Sequence, residues 1–145
     1  MIKFFIGFIF LNAFFSISSG QTYPDTLISE CNAANRGNGK FLKDFRIRLG
    51  DGIPGEDLRF KSTMSLRGKT IYRFSMCNDK ISEGHLIMNL RNDQGKTVAS
   101  SLDVETGGIY PYIDFHCKRS GIYMIYFDFA ENRSGSGVGI VSTIE

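Results

Sequence analysis

From Phe45 onward the chain alternates apolar and polar positions with a period of two. Phe45, Ile47 and Leu49 are separated by Arg46 and Arg48, the pattern of a strand with one buried face and one wet face. Gly50-Asp51-Gly52 ends that strand, and a loop continues to Gly55. Leu58, Phe60, Met64 and Leu66 then interleave with Arg59, Lys61, Thr63 and Ser65 up to the turn Arg67-Gly68-Lys69. The next strand sets Tyr72, Phe74 and Met76 against Arg73, Ser75 and Cys77. Leu86, Met88 and Leu90 alternate with His85, Ile87 and Asn89, and Asn92-Asp93-Gln94-Gly95 supplies hairpin chemistry for the returning strand Val98, Ser100, Leu102. After a loop from Asp103 to Pro111 come Ile113-Phe115-Cys117 and, past Arg119-Ser120-Gly121, Tyr123-Ile125-Phe127-Phe129. That last strand is the most apolar and is expected at the centre of a sheet. Glu131 to Gly137 reads as a Gly/Ser loop before a closing strand, Val138 to Ile144.

Roughly eight short strands with turn signals between them predict an all-β fold, an antiparallel β-sandwich that is jelly-roll-like. The segment from Gln21 to Lys40, rich in Asn, Gly and Ser, is expected to be an irregular arm with at most a short edge strand near Thr26 to Ser29. No window shows helical spacing of apolar residues, and sixteen glycines spread along the chain work against long helices.

The first twenty residues change the picture of where the chain goes. Lys3 precedes an apolar run from Phe4 to Phe15, and Ser18-Ser19-Gly20 places small residues where a signal peptidase reads. A signal peptide over 1–20, cleaved before Gln21, is the expectation. The run is shorter than the roughly twenty apolar residues of a spanning helix, and Cys31 lies too far downstream for a lipoprotein. The remaining 21–145 suffices for one domain of a secreted or periplasmic protein. Its cations and anions are interspersed, which argues against nucleic acid or an acidic membrane as the main partner, since both call for a concentrated basic patch; a local basic face remains compatible.

Export to an oxidising compartment lets one pair among Cys31, Cys77 and Cys117 form a disulfide, with one thiol left over. Cys77 with Cys117 is the expected bridge, because both end strands; pairing through Cys31 is the rival. The spacings do not fit a zinc site, and no metal or other cofactor is expected. Asp51, Glu56, Asp57, Asn92 and Asp93 are loop oxygens that a structural calcium could use, without an EF-hand pattern.

Catalytic chemistry has few carriers. His116 shares a strand face with Asp114, two residues away, so an Asp-oriented imidazole is geometrically open, although the face opposite Ile113 and Phe115 also suits a solvated histidine. His85 opens a strand. Among carboxylates that a glycosidase could pair, Asp103, Glu105, Asp114 and Asp128, the last alternates with Phe127 and Phe129 and is expected on a solvated sheet face. Tyr110 and Tyr112 flank Pro111 and could present two phenols on a rigid loop, a ligand-binding surface.

Gly68-Lys69-Thr70-Ile71-Tyr72-Arg73-Phe74, the strand Leu86 to Leu90 with its polar turn, and Ser120-Gly121-Ile122-Tyr123 together resemble the bacterial pre-peptidase C-terminal domain over the span Leu58 to Phe129. The Tyr-Arg-Phe-x-x-Cys strand and the later Phe-x-Cys strand are also similar to small exported bacterial proteins that bring no activity with them. The first resemblance implies a jelly-roll-like sandwich with an accessory role beside secreted hydrolases. The expected function is a non-catalytic module binding a protein or glycan at the cell envelope. Its alternatives are a small hydrolase centred on His116 and Asp114, and a structural or adhesion component.

Overall fold

Eight strands form where the period-two pattern predicts them, in a computed structural model that describes residues 23–35, 37 and 39–144. The expected signal peptide lies outside the described residues. In chain order the strands are β1 (Lys40–Leu49), β2 (Phe60–Leu66), β3 (Thr70–Asn78), β4 (Leu86–Arg91), β5 (Thr97–Ser100), β6 (Tyr112–Cys117), β7 (Gly121–Phe129) and β8 (Gly135–Ile144). They make two antiparallel four-stranded sheets, ordered β1-β8-β3-β6 and β2-β7-β4-β5. Except at the β4–β5 hairpin the chain changes sheet at every connection, which is the winding of a jelly roll.

The inward positions are those the alternation assigns. Phe45, Ile47, Tyr72, Phe74, Met76, Leu86, Met88, Leu90, Ile125 and Phe127 belong to one buried cluster between the sheets. Phe45, Phe60 and Phe127 pack edge-on or tilted, with ring centroids 5.4 to 6.2 Å apart. β8 begins at Gly135, earlier than the expected Val138, because its glycines face these rings. A Cβ on Gly139 would stand 2.4 Å from Cζ of Phe127, and one on Gly135 would stand 2.3 Å from Phe129. Of the stretch Glu131 to Gly137 that reads as a Gly/Ser loop, only Gly135 to Gly137 belong to the strand, and Gly135 together with Gly139 leaves room for two phenylalanine rings.

The segment expected to be irregular is a helix, α1 (Tyr23–Asn35). Pro24 and Asp25 occupy its first turn, where a missing N–H costs nothing and a negative charge meets the positive end of the dipole. Gly37 follows its end with φ +60°. Leu27, Ile28 and Cys31 pack on Val138 and Ile140 of β8, covering the outer face of the first sheet. A helix of this length is marginal in water, so its anchors matter. Asp25 pairs with Arg46, and the Asn35 carbonyl accepts from Nη1 of Arg73 at 3.0 Å.

The covalent anchor corrects the expected pairing: Cys31 is bridged to Cys77, with Cα atoms 5.9 Å apart, and Cys117 is a buried free thiol. Register explains why Cys77 and Cys117 do not meet. Thr70 is opposite Cys117, so Cys77 lies seven residues further along β3, about 24 Å away at strand rise. Cys117 also faces the interior, whereas Cys77 packs under α1.

Candidate functional site

Alternate connections gather at the two ends of the sandwich. The β1–β2, β3–β4, β5–β6 and β7–β8 loops share one end, here called the loop end; the β2–β3, β4–β5 and β6–β7 turns share the other. At the loop end a cleft of about 360 Å³ opens between the two sheets. Asn78 at the end of β3, His85 and Leu86 at the start of β4, and Tyr110 from the β5–β6 loop line it.

Each lining group is fixed by backbone chemistry. Ser101, fully buried, ties the β5–β6 loop to β4: its Oγ accepts from the Met88 N–H at 2.8 Å, and its carbonyl accepts from the Tyr110 N–H at 2.8 Å. Further out, Asp103 Oδ1 accepts from the N–H groups of Glu105 and Thr106, closing a turn at whose far side Gly107 has φ +73°. Those bonds, the Glu105 N–H first, hold the Asp103 carboxyl below the usual carboxylate range. The Pro111 carbonyl accepts from the Met76 N–H at 2.9 Å, which pins the loop's return to β3. Tyr110 therefore stands on a fixed backbone with its side chain half open to water, at 52 % exposure.

Opposite it, the Asn78 side chain accepts from the Leu86 N–H through Oδ1 at 2.7 Å, which turns its Nδ2 toward Nδ1 of His85 at 3.2 Å. With Nδ1 accepting, the neutral imidazole carries its proton on Nε2 and offers it as a donor. The cleft thus combines a phenol, an imidazole donor and an amide with the apolar walls of Met76, Ile109 and Pro111. That composition suits a small polar ligand with one apolar face.

Tyr112 is placed elsewhere. It lies on the outer face of β6 with the Arg73 guanidinium 4.1 Å from its ring centroid, so Pro111 sends the two tyrosines to different surroundings. Arg73 also grips Asp114 through Nε at 2.8 Å and Nη2 at 2.9 Å. Both carboxylate oxygens of Asp114 are taken by that fork, whose hydrogen bonds hold its carboxyl below the ordinary range. Among the described residues no hydrogen bond joins Asp114 to His116, which is exposed beside Lys69 and Lys118.

Asp128 departs from its expected solvated position. It is buried, and accepts from Arg59 through the backbone N–H, Nε and Nη2 at 2.8 to 3.0 Å and from the Phe129 N–H at 2.6 Å. The β1–β2 loop folds across the outside of the second sheet and brings Arg59 over it. Arg59 also donates to the Gly50 and Arg133 carbonyls, so one guanidinium clasps two loops of the loop end. Nearby Asn132 exchanges hydrogen bonds with Gly55 and Glu56, and Asp51 accepts from the Ser134 N–H. Among the described residues no group of three or more His, Cys, Asp or Glu is placed to hold a metal ion.

The sequence marks Tyr110 as a candidate; it does not single out Asn78, and it marks His85 only as opening a strand, where the structure leaves it exposed. The two residues are seven apart and close the β3–β4 connection from its two ends, a polar contact that a period-two pattern of apolar positions does not mark. The chain matches no family model, and no curated protein matches its sequence.

Proposed function

We propose that the protein is a non-catalytic binding module that takes a glycan in the loop-end cleft. The observation that carries this reading is the half-exposed Tyr110 ring held on a fixed backbone across from the Asn78–His85 pair. A sugar ring offers an apolar C–H face for stacking and hydroxyls for the amide and the imidazole N–H. The resemblance to accessory domains of secreted hydrolases agrees with a role in capture rather than in bond cleavage. Titration with a panel of neutral and acidic oligosaccharides, followed by amide chemical shifts, tests it. Saturable shifts at residues 78, 85 and 107–111, lost in Tyr110→Ala, are expected; shifts confined to other surfaces overturn it.

A second reading rests on a different observation at the same end. Ile53, Ile81 and Val104, on three separate loops, are 72 %, 75 % and 85 % exposed. Aliphatic tips of this kind fit the apolar centre of a protein interface. Substitution of all three by serine abolishes partner binding under this reading and leaves saccharide shifts at Tyr110 unchanged under the first. The hydrolase reading draws no support from Asp114, whose oxygens Arg73 occupies.

A further inference from the structure

At the end opposite the cleft, the β2–β3 turn (67–69) and the β6–β7 turn (118–120) lie against each other. The Lys69 N–H donates to the Cys117 carbonyl at 2.7 Å and the Gly68 N–H to Oγ of Ser120 at 2.8 Å. The approach is close enough that a Cβ on Gly68 would stand 3.0 Å from the Lys118 carbonyl. This contact brings together Arg67, Lys69, Lys118 and Arg119, all exposed. The third turn at this end, 92–96, adds Lys96 and Asp93 and leaves the end positive.

None of the four gathered cations has a carboxylate partner among the described residues, whereas Arg46, Arg59, Arg73, Arg91 and Arg133 each have one. Unneutralised like charges held within a screening length repel one another and contribute nothing to folding. An external anion facing the two turns would relieve that repulsion. Apolar side chains stand among them. Leu42, 43 % exposed, lines a cleft with Arg67 and Ser120; Ile122, 57 % exposed, and Val98 line another with Arg119.

A row of phosphates satisfies the cations, and a headgroup region accepts the protruding aliphatics. A soluble polyanion meets only the first requirement, and the one exposed ring beside these residues, Phe41 at 38 %, gives nucleic-acid bases a single platform rather than a series. We propose that this end of the sandwich docks on the surface of a bilayer containing anionic lipid, with Leu42 and Ile122 entering the headgroup layer. The loop end then points away from the membrane, where its cleft is open to ligand. The inference stands whether or not that cleft binds a glycan.

Co-sedimentation of the full chain with vesicles of phosphatidylcholine, with and without phosphatidylglycerol, is the test. The apolar N-terminal segment, with Lys3 and the terminal amine, is common to parent and variants, so its contribution cancels in their comparison. Binding is expected to be stronger to anionic vesicles and to fall with salt. Lys69→Asn with Lys118→Gln lowers it about 30-fold, at the usual contribution of one surface cation; Asn is chosen because residue 69 has φ +62°. Arg67→Gln with Arg119→Gln is the second pair should the first disturb the turn. Ile122→Ser weakens binding at unchanged charge, and Lys80→Gln, at the loop end, leaves it unaltered. Equal binding to neutral and anionic vesicles overturns the proposal, as does indifference to both double variants. So does binding of heparin, a soluble sulfated polysaccharide, that depends on the four cations while the vesicles stay unbound.

Discussion

Replacing Asp128 by alanine should cost more stability than removing any other carboxylate of the protein. The side chain is 2 % exposed and receives hydrogen bonds from the Arg59 backbone, the Arg59 guanidinium and the Phe129 backbone. Truncation strands two backbone N–H groups and leaves a guanidinium only 16 % exposed without its counter-charge. Breaking a buried pair from one side costs about 3–5 kcal/mol, much of it the desolvation of the charge left behind. Because Arg59 also holds the Gly50 and Arg133 carbonyls, the loss should loosen the β1–β2 and β7–β8 loops before it unfolds the sheets. Asp128→Asn keeps one acceptor and should cost less than Asp128→Ala. The pair Arg59→Met with Asp128→Leu, which removes both charges and keeps volume, should be less destabilised than the sum of the single changes. Urea denaturation of the five variants, the two alternative replacements of Asp128, the singles Arg59→Met and Asp128→Leu, and their combination, measures all of this. A cost for Asp128→Ala below about 1 kcal/mol, the range of an exposed ion pair, or additive single changes, would refute the claim that this carboxylate works as a buried clasp.

Three further outcomes follow from particular contacts. The Arg91 fork on Asp57 holds that carboxyl at about 2, below its ordinary 3.8, so the pair stabilises the fold above about pH 4 and the contribution drains away as pH falls through about 2. Asp57 is half exposed, which limits the effect to below about 1 kcal/mol; acid titration of Arg91→Ala should show a flatter loss in that window than the parent, and an identical profile would contradict it. Gly139→Ala should destabilise by about 1–3 kcal/mol, because its methyl meets the Phe127 ring, and adding Phe127→Leu should recover part of the loss; full additivity in thermal melts would show that the ring is not the obstacle. Peptide mapping without reduction should find Cys31 joined to Cys77, and Cys31→Ala should cost up to about 4 kcal/mol for a closure spanning 46 residues, with Cys117 reacting with a thiol reagent only after denaturation.

Strands were legible because a buried face and a wet face leave a period-two trace in residues 45–144, and the jelly-roll winding is compatible with every turn signal. What escaped is information carried between segments. Among its described side chains helix α1 packs Leu27, Ile28 and Cys31 on the sheet, too few for periodicity to reveal, and its anchors are the disulfide, Arg46 and Arg73. The disulfide itself depended on register: antiparallel pairing puts the ends of β3 and β6 at opposite poles, a fact invisible to the observation that both cysteines end strands. Asp128 faces away from the phenylalanines as alternation requires, yet the loop from Gly50 to Arg59 covers that face. The same holds for the charges. Along the chain they are interspersed, and only the contact between two turns some fifty residues apart concentrates four cations at one end.

The loop-end cleft is tested most directly by mapping amide shifts of the labelled protein during oligosaccharide titration, with Tyr110→Ala and His85→Ala alongside. The account predicts saturable shifts at Asn78, His85 and residues 107–111 that vanish in Tyr110→Ala and weaken in His85→Ala. A panel that produces no shifts there up to millimolar sugar, or shifts that persist unchanged in Tyr110→Ala, would contradict it.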